Sequence, residues 1–211
     1  DSWFIRSTAV KQRLQELNST INWKPASTGT GRFGNWLETL NDWNLSRSRY
    51  WGIPLPIWRS EDGQHEVCIS SLEQLRAELE RSVAAGHMKA NPLANFVPGD
   101  MSEANYAGVD LHRPFVDEWI LTGPEGQAMH RESDLIDVWF DSGSTHAFVL
   151  ESGRWPDLLR PDGYTGPHAD LYLEGTDQHR GWFHSSLLQA CGTKGRAPYR
   201  GVLTHGFTLD E

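Results

Sequence analysis

The chain has 211 residues and a formal net charge of −9, from 19 basic and 28 acidic side chains. Hydrophobic residues make up 38% and charged residues 22%, close to ordinary usage, which excludes a wholly disordered chain. A negative balance repels phosphate, so a stand-alone nucleic-acid binder is disfavoured. No apolar run approaches the roughly 20 residues that cross a bilayer, and no signal peptide precedes the first helix, so we expect a cytoplasmic protein with no membrane partner.

The two cysteines, Cys68 and Cys191, are far apart in sequence, and neither has a second thiol nearby. This spacing fits neither a Cys-x-x-Cys metal site nor a disulfide framework, so we expect two buried free thiols and no metal site. The chain lacks an initiator Met and ends at Asp210-Glu211 directly after an apolar run. These ends indicate a piece of a longer polypeptide.

The first part of the chain, residues 1–59, is predicted to combine two helices with one strand. Apolar residues at helical spacing predict a helix over about 8–21, and a short aromatic helix is expected over 36–43 after a loop at 24–34. Between residues 51 and 58, prolines alternate with aliphatic residues. This period of two predicts a strand with one unpaired side.

Residues 60–133 are predicted to form an inserted α+β lobe. Its helix is predicted to begin at Ser71, because Gln74 completes a Ser-x-x-Gln capping box, and Gly86 can supply a left-handed cap at the other end. After this helix, Pro, Asn, Gly and Asp turns separate short apolar runs up to about residue 132.

The last part, residues 134–211, alternates strands and helices. Strands are predicted at 136–140, 170–173 and 200–207, and a helix at about 181–190. This order favours a parallel sheet, so the predicted fold class is α/β.

The apolar strand that ends at Leu173 is followed directly by a mostly polar cluster, namely Glu174, Gly175, Asp177, Gln178, His179 and Arg180. In open α/β sheets, ligands bind beyond the carboxyl ends of the strands. A glycine lets a ligand approach the backbone, and carboxylates accept hydrogen bonds from sugar hydroxyls or an amine. The pattern indicates a ligand site, and a polar helix cap with solvated charges is the alternative that the residues leave open.

Four stretches resemble isoleucyl-tRNA synthetases and follow one another in the order of that family. They are Asn-Trp-Leu-Glu with Asp-Trp-Asn-Leu-Ser-Arg-Ser-Arg-Tyr-Trp-Gly-Ile-Pro-Leu-Pro (35–56), Asp-Val-Trp-Phe-Asp-Ser-Gly (137–143), the segment with Glu-Gly-Thr-Asp-Gln-His-Arg-Gly-Trp-Phe-His (170–188) and Gly-Arg-Ala-Pro-Tyr-Arg-Gly-Val-Leu-Thr-His-Gly-Phe (195–207). The resemblance spans nearly the whole chain and is weakest over 61–132. Valyl and leucyl enzymes share the general plan, but the forms found here are similar to the isoleucyl type.

This resemblance implies the second part of a Rossmann-like nucleotide-binding domain, lying after the editing insertion. The full-length protein is then expected to activate isoleucine with ATP and Mg²⁺ and to transfer it to tRNA(Ile). Two family signatures that handle phosphates, His-Ile-Gly-His and Lys-Met-Ser-Lys-Ser, do not occur in the sequence. We therefore expect no adenylate formation by this chain alone, no structural cofactor, and an exposed apolar surface through which the chain can self-associate.

The resemblance also implies an isoleucine pocket. Trp139 and Trp182 match tryptophans that wall the pocket, and Gln178 matches the residue that holds the carboxyl end of the amino acid. Flat, rigid rings suit a slot that measures a branched aliphatic group by shape. Simple core packing is the alternative for both tryptophans, and no residue is predicted to act as a covalent catalyst.

The neighbouring adenylate site is implied in the same way. Glu174, Gly175 and Asp177 match positions around the ribose, while His205 and Gly206 match a strand end near the nucleotide. A structural role with satisfied hydrogen bonds is the alternative for His205.

Arg47 and Arg49 lie beside Tyr50 and Trp51, and a basic, aromatic surface of this kind can contact an RNA backbone. We treat the two arginines as tRNA candidates, with an ion-paired structural role as the alternative. Two further readings compete for the whole chain: a non-catalytic tRNA- or protein-binding module, and a carbohydrate-binding protein suggested by ten tryptophans and many carboxylates.

Overall fold

The structure, a computed structural model, describes residues 2–207, 209 and 210. The strands of this part of the chain are β1 (Phe4–Ile5), β2 (Asn22–Lys24), β3 (Trp43–Asn44), β4 (Ser46–Arg47), β5 (Ile57–Ser60), β6 (Glu66–Cys68), β7 (Leu121–Thr122), β8 (Ala128–Arg131), β9 (Leu135–Ile136), β10 (Ala169–Gly175) and β11 (Tyr199–His205). The α-helices are α1 (Lys11–Thr20), α2 (Ala26–Thr30), α3 (Arg32–Glu38), α4 (Leu72–Ala84), α5 (Glu103–Tyr106), α6 (Arg113–Val116), α7 (Val138–Gly143), α8 (Thr145–Leu150) and α9 (Trp182–Lys194). Short 3₁₀ turns occupy Ser7–Val10, Pro156–Leu158 and Thr176–Arg180. Within these described residues, every helix is too short or too polar to cross a membrane.

The chain divides into two compact units, residues 1–45 with 137–211 and residues 46–136. The predicted lobe at 60–133 falls inside the second unit, which begins earlier than expected. The reason is strand pairing, because β4 pairs with β9 and Pro54 forms a bridge with Leu135. These contacts tie the residues just before the predicted boundary to the second unit.

The first unit contains a parallel sheet with the strand order β10-β11-β2. The predicted strands at 170–173 and 200–207 are confirmed as β10 and β11, and their parallel pairing places the two carboxyl ends side by side. The segment predicted as a loop, 24–34, is partly regular structure. Residue 24 is the last residue of β2, and residues 26–30 form α2. The sheet and its covering helices make the unit mixed α/β, as predicted.

Helix α9 packs on this sheet and gives the first unit its core. Phe183 and Leu187 on the helix are fully buried, as is Val202 on β11, while Trp23 on β2 is nearly so. The predicted helix at 181–190 is confirmed and extends further, to Lys194.

The predicted strand at 136–140 is wrong, because helix α7 begins at Val138. The side chain of Asp137 caps this helix, since its Oδ1 accepts a hydrogen bond from the backbone nitrogen of Trp139 at 3.2 Å. Its Oδ2 accepts a second bond from Trp43 Nε1 at 2.9 Å. The capping bond is local, whereas the bond from Trp43 holds the Asp137 carboxylate from a distant part of the chain.

The aromatic helix expected at 36–43 is displaced toward the amino end. Helix α3 ends at Glu38, and Trp43 lies in β3, which pairs with β1. The predicted helix at 8–21 is present as a 3₁₀ turn followed by α1.

The second unit contains an antiparallel sheet with the order β6-β5-β8-β7. Helix α4 begins as predicted, with Ser71 Oγ accepting from the backbone nitrogen of Gln74 at 3.1 Å, and Gly86 adopts φ +83° after its end. Of the strand predicted at 51–58, only its end is realised, because β5 starts at Ile57.

The cysteine prediction holds for one residue. Cys191 is a buried free thiol in α9, whereas Cys68 is free but exposed. Strand β6 pairs on one side only among the described strands, so this edge leaves Cys68 open to solvent.

Candidate functional site

The carboxyl ends of the two longest parallel strands meet at Gly175 and His205, which are register partners. A Cβ atom at Gly175 would lie 2.6 Å from Asp177 Oδ1 and 4.0 Å from His205 Cε1. The Asp177 carboxylate therefore lies against the bare backbone of Gly175, and a side chain at residue 175 would displace it. The structure thus brings three of the predicted adenylate residues together.

The second cluster centres on Gly181, the residue before α9. A Cβ atom there would lie 2.6 Å from Gln178 Oε1 and 2.8 Å from Trp139 Cη2. The indole of Trp139 and the carboxamide of Gln178 therefore meet over the bare backbone of Gly181. Any side chain at this position would displace them.

The carboxamide of Gln178 is oriented by two hydrogen bonds. Its Oε1 accepts from the backbone nitrogen of Trp182 at 2.9 Å, and its Nε2 donates to Asp177 Oδ2 at 3.0 Å. The first bond caps the start of α9, where the helix dipole adds partial positive charge. The Nε2 group therefore faces the Asp177 carboxylate at the strand end. It carries two hydrogens that it can donate.

The indole of Trp182 is held on its face and at its nitrogen. It stacks on Tyr172 with ring centroids 3.9 Å apart and planes at 13°, and its Nε1 donates to Thr145 Oγ1 at 2.9 Å. Burial raises the pKa of Tyr172 to about 12, so its hydroxyl stays protonated into the alkaline range as well as at neutral pH. Trp182 is partly buried, and Trp139 keeps 38% of its surface exposed.

Two predicted residues lie at the same strand ends with simpler surroundings. Glu174 is exposed and its Oε1 accepts from the backbone nitrogen of Gly175 at 3.1 Å. His205 is also exposed, with its Nδ1 2.6 Å from the Gly206 carbonyl oxygen. A Cβ at Gly206 would meet no atom of the described residues within 4 Å.

A cavity of about 570 Å³ lies elsewhere in the first unit, beside edge strand β2. Its lining includes Asn18, Asn22, Trp23 and Glu38, and none of the predicted site residues contributes to it. The predicted site residues therefore lie outside this cavity.

The two tRNA candidates belong to the second unit. Arg47 lies in β4, where its Nη1 donates to the Ser46 carbonyl oxygen at 2.8 Å, and the Arg49 carbonyl accepts from Arg113 at 3.3 Å. The adjacent Tyr50 and Trp51 are both largely exposed.

Sequence reasoning missed the residues that hold the candidate site residues in place. Thr145 and Tyr172 contact Trp182, and Gln189 Nε2 donates to the Phe140 carbonyl at 2.7 Å, joining α9 to α7. Thr145 follows the Trp-Phe-Asp-Ser-Gly run closely, which was the only available signal.

The chain belongs to the class I tRNA synthetases, because the family described as tRNA synthetases class I (I, L, M and V) matches residues 1–211. The similar curated proteins within this class are isoleucine–tRNA ligases. The chain is 56% identical to the isoleucine–tRNA ligase of Bacteroides thetaiotaomicron, covering 100% of this chain and 18% of that protein. It is 54% identical to the isoleucine–tRNA ligase of Porphyromonas gingivalis, with the same coverage of 100% and 18%.

A solved structure is similar at a lower level. It is titled the ternary complex of Agrobacterium radiobacter K84 LeuRS with tRNA and LeuAMS, and it shares 18% identity with a TM-score of 0.49, covering 81% of this chain and 20% of that one. The chain spans about a fifth of the length of the curated relatives it matches.

Proposed function

We propose that this chain is part of an isoleucine–tRNA ligase and supplies one wall of its isoleucine and adenylate site. The observation that carries the proposal is the meeting of Trp139 and Gln178 over Gly181, directly beside Trp182, in a chain 56% identical to such a ligase throughout. These are the residues that the resemblance assigns to the amino-acid pocket.

In the proposed reaction, the isoleucine carboxylate attacks the α-phosphate of ATP and pyrophosphate leaves. A hydroxyl of the terminal ribose of tRNA(Ile) then attacks the acyl carbon of the adenylate, the ester forms, and AMP leaves. Such chemistry depends on positioning and on neutralising phosphate charge, and Mg²⁺ enters with the ATP as part of the substrate. The indoles of Trp139 and Trp182 would bound the aliphatic side chain, while Gln178 Nε2 would donate to the carboxyl end.

The strand ends would hold the nucleotide. The carboxylates of Glu174 and Asp177 can accept hydrogen bonds from ribose hydroxyls, and the bare backbone at Gly175 leaves room for the Asp177 carboxylate beside the strand end. His205 and Gly206, at the adjoining strand end, would face the rest of the nucleotide. This arrangement is the ligand position of a Rossmann-like half-sheet, which we propose for residues 1–45 and 137–211.

Residues 46–136 would then form an inserted connective lobe. We propose that its Arg47 and Arg49 contact the tRNA backbone, beside the exposed rings of Tyr50 and Trp51. Replacing both arginines by Ala in the full-length protein should weaken tRNA binding and lower its dependence on salt concentration. Unchanged binding across a salt titration would remove this contact from the proposal.

The site assignment is tested with Trp182→Ala and Gln178→Ala in the full-length protein. Each variant should lower isoleucine-dependent ATP–pyrophosphate exchange by at least about 10-fold, since a bounding ring or a carboxyl contact is lost. Trp155→Ala, which removes an exposed indole outside the site, should leave exchange unchanged. Full activity in both site variants, with unaltered melting temperatures, would reject the assignment.

The chain of residues 1–211 alone should show no exchange. Its sequence contains neither phosphate-handling signature, so the charge that develops on the phosphates would not be neutralised. The assay compares this chain with the full-length protein at equal concentration. Isoleucine-dependent exchange by residues 1–211 would show that the remaining residues are dispensable for activation.

A further inference from the structure

We propose that Thr145 is a positioning residue that sets the orientation of the Trp182 indole and thereby the selectivity for the amino-acid side chain. The proposal rests on the function proposed above. Thr145 is the first residue of α8 and lies 37 positions before the indole that it contacts.

The hydroxyl of Thr145 has one defined orientation. It donates its single hydrogen to the Ser142 carbonyl oxygen, so only its lone pairs are available to the indole. Trp182 Nε1 donates to one of these lone pairs at 2.9 Å. The indole therefore donates to the hydroxyl, and the hydroxyl donates to the carbonyl. Each group in this chain has a fixed role as donor or acceptor.

This hydrogen bond removes a freedom that ring stacking leaves. Tyr172 lies nearly parallel to Trp182, with planes at 13° and centroids 3.9 Å apart, which fixes the tilt of the indole. A turn of about 180° about the Cβ–Cγ bond would return the indole to the same plane, so the parallel stack alone does not distinguish the two orientations. Only one of them points Nε1 at Thr145, so this hydrogen bond selects the orientation and defines the edge presented to a ligand.

The same contact couples Trp182 to the other tryptophan of the site. Ser142 lies in α7, the helix that carries Trp139. This helix approaches α9 so closely that a Cβ at Gly143 would lie 2.8 Å from Ser185 Oγ. Because the two helices are packed without space, the Thr145 bond ties the Trp182 ring to the element that positions Trp139.

Selectivity is sensitive to such a small displacement. An apolar pocket separates side chains that differ by one methylene by only about 10- to 200-fold, because the whole difference is a matter of fit. An indole in another orientation would leave unfilled space beside the isoleucine side chain. It would not alter the contacts of the nucleotide. Loss of the Thr145 hydroxyl should therefore change amino-acid recognition selectively.

The test uses Thr145→Val in the full-length protein, because valine keeps the shape and removes the hydroxyl. We expect the KM for isoleucine to rise by about 3- to 10-fold, the range of a single net hydrogen bond, with kcat within about 2-fold and the KM for ATP unchanged. The preference for isoleucine over valine in pyrophosphate exchange should fall by at least about 2-fold. Thr145→Ser, which restores the hydroxyl, should return all values to those of the parent.

The matched control is Thr193→Val, on the exposed side of α9. Its hydroxyl donates to the Gln189 carbonyl at 2.7 Å but touches no residue of the site, so all constants should stay unchanged. If Thr145→Val fails to fold by thermal melting, Thr145→Ala takes its place under the same criteria.

An unchanged isoleucine KM and an unchanged preference over valine would overturn the positioning role. So would parallel increases in the KM values for isoleucine and ATP, which would indicate general damage. Failure of the proposed function has a different signature, because the unmodified full-length protein would then show no isoleucine-dependent exchange.

Discussion

His184, on the first turns of α9, is enclosed by aromatic and backbone groups. Its ring lies 4.3 Å from that of Trp36, and its Nδ1 is 3.3 Å from the His179 carbonyl oxygen. Burial lowers the pKa of His184 to about 4, although the His179 carbonyl and the charge of Asp137 oppose this shift. The imidazole is therefore neutral in the folded chain at neutral pH.

This shift makes folding stability depend on pH. The unfolded chain binds the His184 proton near pH 6.5, whereas the folded chain resists it down to about pH 4, so stability is lost as pH falls between these values. Between pH 7 and pH 5, His184 should account for about 2 kcal/mol of lost unfolding free energy. Urea unfolding of the chain at the two pH values, with His184→Gln for comparison, measures this share. A variant with the same pH dependence as the parent would contradict it.

Two glycines of helix α9 differ in position and backbone conformation, one lying within the helix and one directly after it. Gly195 follows the last turn in the left-handed conformation, with φ +66°, and its backbone nitrogen donates to the Cys191 carbonyl at 2.9 Å. Gly192 lies within the helix. A Cβ atom at either position would meet nothing within 4 Å, so the backbone alone decides the effect of a side chain.

We expect opposite effects from the same substitution at these two positions. Gly195→Ala should lower the unfolding free energy by about 1 kcal/mol, because alanine is strained at positive φ. Gly192→Ala should raise it by up to about 1 kcal/mol, because alanine favours the helix interior and restricts the unfolded chain. Urea unfolding of both variants provides the measurement. Changes of the same sign would show that local backbone preference does not dominate here.

At the element scale, predictions succeeded where the signal was local. The cap at Ser71 and the apolar stripe predicted α4, since both depend on residues within a few positions. The strand expected at 136–140 is wrong because the apolar run is compatible with either element, and the Asp137 carboxylate caps a helix there. The hydrogen bond from Trp43 that holds this carboxylate comes from a residue distant in sequence, and no local pattern contains it.

At the scale of the whole molecule, one face of the parallel sheet carries exposed leucines. Leu173 on β10 and Leu203 on β11 are register partners, and Leu171 lies two residues before Leu173 on β10. Their exposed fractions are 54%, 40% and 53%. Exposed leucines of this kind favour association, and the self-association expected from the sequence stays a prediction.

We therefore expect residues 1–211 to self-associate as concentration rises, because burial of these side chains removes apolar area from water. Sedimentation velocity over a concentration series measures the apparent mass. Leu173→Lys should shift the chain toward monomer, whereas Leu158→Lys, at an exposed leucine in the turn at Pro156–Leu158, should not. A monomer at every concentration would exclude association through this face.

The sequence by itself determined the class of fold, the order of strands β10 and β11 around α9, and the polar cluster at the strand ends. Hydrophobic period and caps report these features, because they arise between residues close together along the chain. The tertiary structure alone decided the bond from Trp43 to the Asp137 carboxylate that caps α7, the addition of β2 to the sheet, and the bond from Trp182 to Thr145. Those features join residues distant in sequence, and such contacts exist only once the helices and strands have packed.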